Sequence, residues 1–206
     1  MDGNIFFAAS TLGTLAFALS GYLQGVRKEL DIMGLFIVAF LTANGGGLVR
    51  DIMIGGVPNV LKDISAFYLV FITCIAAYLL KLHKYTRLER QMFFVVSDSL
   101  GLVSFSITGA VIAIENGLSP FGVMVLSIIT ALGGGVVRDT ILGEIPALFN
   151  SEFYGSVALL IALMMIGLNE YYELNNITLS AVFVMGFVIR MIAYKYNWHL
   201  PKIRKG

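Results

Sequence analysis

The sequence predicts an all-α membrane protein of seven transmembrane helices, organised as two inverted three-helix repeats plus a seventh helix. Three observations carry this reading. The 206 residues are 58% hydrophobic and only 13% charged, with a mean hydropathy of +0.85, whereas a soluble domain carries about a quarter charged residues. Hydrophobic stretches approaching the roughly 20 residues that cross a bilayer occupy most of the chain and leave no room for a separate soluble domain. The segment TANGGGLVRDIMIGGVP at 42–58 recurs as TALGGGVVRDTILGEIP at 130–146 without a gap.

Membrane helices are expected at about 5–25, 33–54, 66–82, 92–114, 121–142, 153–168 and 177–197. The first begins by Ile5, with no positively charged stretch before it and no convincing cleavage site after it, so it reads as a retained helix rather than a signal peptide. The second and fifth each contain one copy of the recurring segment. The third holds the single cysteine, Cys74, which excludes an intrachain disulfide and reads as a packing residue. The fourth carries Asp98 between Ser97 and Ser99. The first repeat is drawn at 4–82, the second at 92–168, and the seventh helix at 177–197.

Alternate threading of seven helices puts Arg27 and Lys28, then Lys81, Lys84, Arg87 and Arg90, then Lys202, Arg204 and Lys205 on one side of the membrane. The other side has only Lys62, with Glu170 and Glu173 before the last helix. Basic connections favour the cytoplasm, so the N-terminus is expected outside and the C-terminus inside.

At an offset of 88 residues the identity extends beyond the motif: Leu12 pairs with Leu100, Gly13 with Gly101, Phe17 with Phe105, Gly21 with Gly109, Leu30 with Leu118 and Gly34 with Gly122. Sixteen pairs are identical between 12 and 61, and they are concentrated in Gly, Arg, Asp and Pro. Chance matches in apolar sequence would fall on Leu and Ala instead. Three helices per unit is an odd number, so the second copy enters the membrane from the opposite side. Inverted repeats are related by a pseudo-twofold axis in the membrane plane, and in transporters the path lies at their interface.

Gly45, Gly46 and Gly47, with Gly133, Gly134 and Gly135, fall inside the second and fifth helices. Three glycines cost a helix about 3 kcal/mol relative to alanine, so a kink or unwinding is expected there. Freed backbone groups are expensive in lipid unless protein or water satisfies them. A break would therefore line a buried cavity and offer carbonyl oxygens to a monovalent cation. Close helix packing by small residues is the competing role, and both roles can coexist.

Arg50 and Asp51, like Arg138 and Asp139, follow the triads closely. Ionisable groups at such depth normally face a bundle interior, a partner or water, although long arginines also snorkel to the headgroups. Neighbouring residues project about 100° apart on a helix, so each is expected to meet a different partner. The two arginines are expected on opposite sides of the midplane, each roughly 10 Å from it, too far for an Arg50 to Asp139 pair. Asp98, whose repeat counterpart is the uncharged Ser10, is a further cavity group. Thr42, Asn44 and Thr130, with Ser20 and Thr108, either line a polar route or bond their own helix backbone. Arg190 reads as a structural or snorkelling charge.

The formal net charge of +1 gives no reason to invoke a nucleic-acid partner. There is no Gly-Lys-Ser/Thr phosphate loop, no Cys/His metal spacing and no Ser/His/Asp signature, so neither an enzyme nor a cofactor is indicated. With its doubled GGGxxRD followed by Pro58 and Pro146, the chain resembles the prokaryotic branch of the trimeric intracellular cation (TRIC) channel family, also catalogued as a bacterial glycine-transporter-type (UPF0126) domain present twice. The resemblance covers about 4–168, the extent of the two repeats. It implies seven membrane helices and a homotrimer in the cell inner membrane, with one pore per protomer. It also implies passive conduction of monovalent cations, chiefly potassium with sodium possible, past the glycine-kinked second and fifth helices. By motif, the residues carried over are Gly45 to Gly47 with Arg50 and Asp51, and Gly133 to Gly135 with Arg138 and Asp139. Animal members bear a lysine-containing signature in the second helix that this sequence lacks. A secondary transporter for a small zwitterion such as glycine, its carboxylate held by an arginine, is the alternative that inverted repeats equally allow.

Overall fold

In the computed structural model, which describes residues 3–150, 153–172 and 174–198, the expected spans are all helical. They are α1 (Gly3–Arg27), α2 (Ile32–Met53), α4 (Ser65–Leu79), α5 (Arg87–Glu115), α6 (Pro120–Ile141), α8 (Tyr154–Tyr171) and α9 (Asn176–Lys195), with short helices α3 (Asn59–Lys62) and α7 (Ala147–Asn150) after each motif. Six are long and apolar enough to cross a bilayer; α4 is apolar but only 15 residues. It ends at Leu79, earlier than the expected 82, because Lys81 adopts a left-handed conformation at φ 57 and turns the chain out. Conversely, α5 starts at Arg87 rather than 92. Thr86 and Glu89 form a capping box there, which satisfies two amide groups that the first turn would otherwise leave unpaired.

The repeat is visible in how helices begin and end. Asp31 caps α2 by accepting from the Gly34 amide, and Ser119 caps α6 by accepting from the Gly122 amide, one repeat interval later. The same two helices are followed by Gly55 at φ 75 and Gly143 at φ 66, a conformation glycine adopts without penalty. α1, α2, α5 and α6 form the central group; α4 packs on α1 and α2, while α8 packs on α5 and α6. α5 is the most buried span, and α9 lies against α5 and α8. Ion pairs from Arg27 and Lys28 to Glu144, and contacts of Gln91 with Tyr194 and Phe153 with Trp198, gather the ends of α1, α5, α6, α8 and α9 on one face, called here the basic face. The basic residues expected at 202, 204 and 205 lie outside the described residues.

The glycine triads do not break their helices. Helical structure runs without interruption through 45–47 and 133–135, so the expected unwinding is corrected. The physical reason is a backbone crossing. A Cβ on Gly46 would collide with the carbonyl oxygen of Thr130, a Cβ on Gly134 would collide with that of Thr42, and one on Gly133 would stand 2.8 Å from Gly46 Cα. The glycines let α2 and α6 touch along their main chains, which is the small-residue packing of membrane helices.

Candidate functional site

Each Arg-Asp motif sits beside its own cavity. The first cavity, about 700 Å³, lies among α1, α2, α3 and α4 and includes Ser10, Asn44, Gly47, Arg50, Asp51 and Asn59 in its wall. The second, about 340 Å³, opens on the basic face and includes Gln24, Arg27, Phe94, Asp98, Tyr154 and Arg190. The two share no lining residue, yet they are images of each other under the repeat. Phe6, Phe7, Ser10, Asn59 and Ala66 of the first correspond at the same 88-residue offset to Phe94, Val95, Asp98, Ala147 and Tyr154 of the second. Replacement of Ser10 by Asp98 and of Ala66 by Tyr154 adds bulk to the second wall, consistent with its smaller volume.

The charged pairs correct one expectation. Arg50 Nε donates to Asp51 Oδ1 at 2.9 Å with Nη2 at 2.8 Å, and Arg138 Nε donates to Asp139 Oδ1 at 2.7 Å. The neighbours thus pair with each other, since the long guanidinium stem curls around the roughly 100° between their Cβ directions. An unpaired charge in a low-dielectric interior is the costlier outcome. The second oxygen of each aspartate accepts the amide that opens the following short helix: Asn59 N to Asp51 at 2.7 Å and Ala147 N to Asp139 at 2.8 Å. Each aspartate therefore ties its arginine to the segment walling the cavity mouth.

The two halves differ in what else holds the arginine. Arg138 Nη1 donates to Asp98 Oδ1 at 2.5 Å and to Ser20 Oγ at 2.6 Å, and Ser20 Oγ donates to Asp98 at 3.0 Å. Phe94 stacks under the guanidinium, 4.9 Å from its carbon. The Arg138 side chain is completely buried, whereas Arg50 retains some exposure toward the first cavity. Two carboxylates, a hydroxyl and a ring thus hold Arg138, while Arg50 pairs with one carboxylate.

Other expected polar groups turn inward on their own helices. Thr42 bonds Val38 O at 2.6 Å, Thr130 bonds Leu126 O at 2.6 Å, Asn44 bonds Phe40 O at 2.9 Å and Thr108 bonds Phe105 O at 3.3 Å. Of these four, Asn44 also borders the first cavity. Arg190 lies 5.1 Å over the Tyr154 ring in the second cavity's wall rather than reaching for headgroups.

The sequence profile of the glycine transporter family matches this chain twice, at residues 7–83 and 95–170. The chain belongs to that family. Its relatives include the UPF0126 membrane protein YvgT of Bacillus subtilis, 32% identical over 93% of both chains, and the UPF0126 inner membrane protein YadS of Escherichia coli K12, 28% identical over 92% of both. Among solved structures, a prokaryotic TRIC channel crystallised in 0.5 M KCl superposes with a TM-score of 0.87 at 32% identity, covering 95% of this chain and 98% of that one. The TRIC trimeric intracellular cation channel orthologue from Rhodobacter sphaeroides gives 0.87 at 26% identity, over 94% and 98%. As a family member with six long apolar spans, the protein is a multi-pass membrane protein. The two profile matches begin one repeat interval apart, in register with the two cavities. Ser20, expected on a polar route or bonded to its own helix, instead joins Arg138 and Asp98, while no motif marks Phe94 or Tyr154. The available signal is Asp98 itself, since a buried carboxylate in a membrane helix requires a partner and here it has Arg138.

Proposed function

We propose that the protein is a cation channel, permeable to potassium, with one path per protomer running from the first cavity to the second past the α2–α6 crossing. The observation that carries this is the pair of repeat-related cavities, each entered beside its own Arg-Asp motif. Similarity over nearly the whole chain to solved TRIC channels supports it. Gly45 to Gly47 and Gly133 to Gly135 shape the crossing beside the path, while Arg50, Asp51, Arg138, Asp139 and Asp98 are its charged groups. The route follows the cavities rather than the triad carbonyls, which the intact helices keep in their own hydrogen bonds. The protein works as a homotrimer in the cell inner membrane, with the basic face and C-terminus cytoplasmic and the N-terminus outside.

A second reading has one specific observation in its favour. One cavity is twice the volume of the other, as in an alternating-access transporter caught open to one side, and Arg50 is placed to meet a solute carboxylate there. Single-channel recording of purified protein in planar bilayers separates the two. Discrete steps carrying potassium over chloride are expected. Absence of steps with saturable glycine uptake into liposomes replaces the channel with the transporter.

A further inference from the structure

The repeat keeps the two cavities alike in backbone but not in charge. The wall of the first holds Arg50, Asp51 and Asp63, one negative charge in excess, and that of the second holds Arg27, Arg87, Arg90, Arg190 and Asp98, three positive charges in excess. The motif pairs do not account for the difference, because Arg50 cancels Asp51 and Arg138 cancels Asp139. It comes from residues the duplication does not share. Arg27 at the end of α1 corresponds to Glu115 at the end of α5, Asp98 to Ser10, and Arg190 stands on α9, which has no counterpart.

The charges also differ in depth. Arg27 is the last residue of α1 and Arg87 the first of α5, with Arg90 one turn further in, so all three stand at the mouth on the basic face. Asp98 follows Arg90 along the same helix, about 12 Å deeper at 1.5 Å per residue. Glu144 pairs with Arg27 and Lys28 together and so neutralises one of those two, while Arg87 is exposed and Arg90 half-buried. At the opposite mouth Asp63 is exposed in the wall, and its oxygens accept from the Ser65 amide and hydroxyl at 3.0 and 2.7 Å. Hydrogen bonds from that hydroxyl and amide hold the Asp63 carboxyl below the ordinary aspartate range, so it is ionised at neutral pH. Lys62 beside it is exposed but outside the wall.

We infer that the open path rectifies: potassium entering from the first-cavity face passes more readily than potassium entering from the basic face, and Arg87 and Arg90 set that direction. This rests on the path proposed above. A recess lined by one sign of charge concentrates ions of the opposite sign and depletes those of its own. The acidic mouth therefore supplies cations to the path, and the basic mouth holds them off. At about 10 Å in water, three unit charges change the local cation concentration about fivefold when the Debye length is about 30 Å, and hardly at all when it is about 3 Å. The asymmetry belongs to low salt and disappears at high salt.

The test records single insertions of the full-length protein in planar bilayers of phosphatidylcholine, which carries no net charge, with equal KCl on both sides. Open-channel current is read, so that opening and closing do not enter. In about 0.01 M KCl, currents at equal and opposite voltages are expected to differ about three- to fivefold, the larger being entry through the first cavity, and in about 1 M KCl the ratio approaches one. Arg87→Gln combined with Arg90→Gln brings the low-salt ratio below about two. The direction is fixed with Arg87→Cys in a Cys74→Ser background, using membrane-impermeant methanethiosulfonate reagents; the side from which they act identifies the basic face. An adduct carrying an ammonium group restores the ratio, and one carrying a sulfonate abolishes or inverts it. Both adducts hang from the same sulfur, so a disturbance of structure moves them alike and only charge separates them. Equal ratios with the two adducts, a ratio that persists at high salt, a larger current in the opposite direction, or a linear relation at low salt overturns the inference and leaves the channel standing. Absence of potassium current under every condition refutes the channel and the inference with it.

Discussion

Consecutive glycines of one triad should respond oppositely to the same substitution. A methyl group on Gly46 is driven into the Thr130 carbonyl, a backbone atom inside a helix that cannot swing aside. On Gly47 the nearest atom is Arg50 Nη2 at 3.5 Å, the far end of a flexible side chain at ordinary contact distance. Overpacking costs about 1–3 kcal/mol, and a backbone collision belongs at the upper end. Replacing a helical glycine by alanine otherwise gains up to about 1 kcal/mol from propensity. Gly46→Ala is therefore expected to destabilise by about 2 kcal/mol and Gly47→Ala to be neutral or slightly stabilising. For a chain of this length each kcal/mol moves the melting temperature by about 2–4 °C. Thermal melting of the purified protein in detergent measures it, with Gly134→Ala and Gly135→Ala repeating the contrast in the second half, where the corresponding positions meet the Thr42 carbonyl and, at 3.4 Å, the Tyr154 hydroxyl. Equal effects at 46 and 47 would refute the crossing as the reason for the triads and restore a role in bending the helix.

Asp51→Ala removes the one carboxylate paired with Arg50 and is expected to destabilise by about 3 kcal/mol, the cost of stranding a buried charge, whereas Asp98→Ala leaves Arg138 paired with Asp139 and is expected to cost less; chemical denaturation of the two variants compares them. Asp139→Ala should also release the α7 amide of Ala147, so hydrogen exchange in 147–150 should accelerate relative to the native protein while exchange in 59–62 stays unchanged, with Asp51→Ala giving the reverse. On the basic face, burial pushes the Glu144 carboxyl up, but hydrogen bonds and charge from Lys28 and Arg27 outweigh it and hold the group below the ordinary glutamate range. A carboxyl lowered by folding contributes stability above its unfolded value and loses it as pH falls through the folded one. The melting difference between native protein and Glu144→Gln should thus be present at neutral pH, shrink once the pH falls below the ordinary glutamate value of about 4.3, and vanish below the lowered folded one.

The seven spans and the duplication were legible because both rest on local signals: runs of apolar residues long enough for a bilayer, and a motif rich in residues with few substitutes. The helix ends that were misplaced turn on single residues. Lys81 is left-handed with no glycine to announce it, while the Thr86–Glu89 capping box is a local sequence signal that hydrophobicity alone does not carry. The triads misled because intrinsic propensity was weighed against an isolated helix. In the folded chain the same glycines bring two backbones together, and that contact outweighs their local preference to unwind. The pairing of Arg50 with Asp51 was missed for a related reason: Cβ directions were treated as the directions of the charges, which a three-methylene stem does not respect.

Arginines beside a cation path look self-defeating, and the arrangement of partners answers the objection. In the first motif Arg50 and Asp51 cancel. In the second, Asp98 and Asp139 both face Arg138, and Arg190 stands over Tyr154 in the same cavity wall. Coulomb energy at a given distance is several-fold larger in such an interior than in water, so these buried carboxylates weigh more on a passing ion than Arg27, Arg87 and Arg90 in the wall of the second cavity, where solvent and salt screen them within about 8 Å. Ser10, at the repeat position of Asp98, leaves the first half with Asp51 as the carboxylate on its arginine. Introducing Ser10→Asp should therefore raise the preference for potassium over chloride measured by reversal potential, and a preference unchanged or reduced in the folded variant would place the selectivity elsewhere.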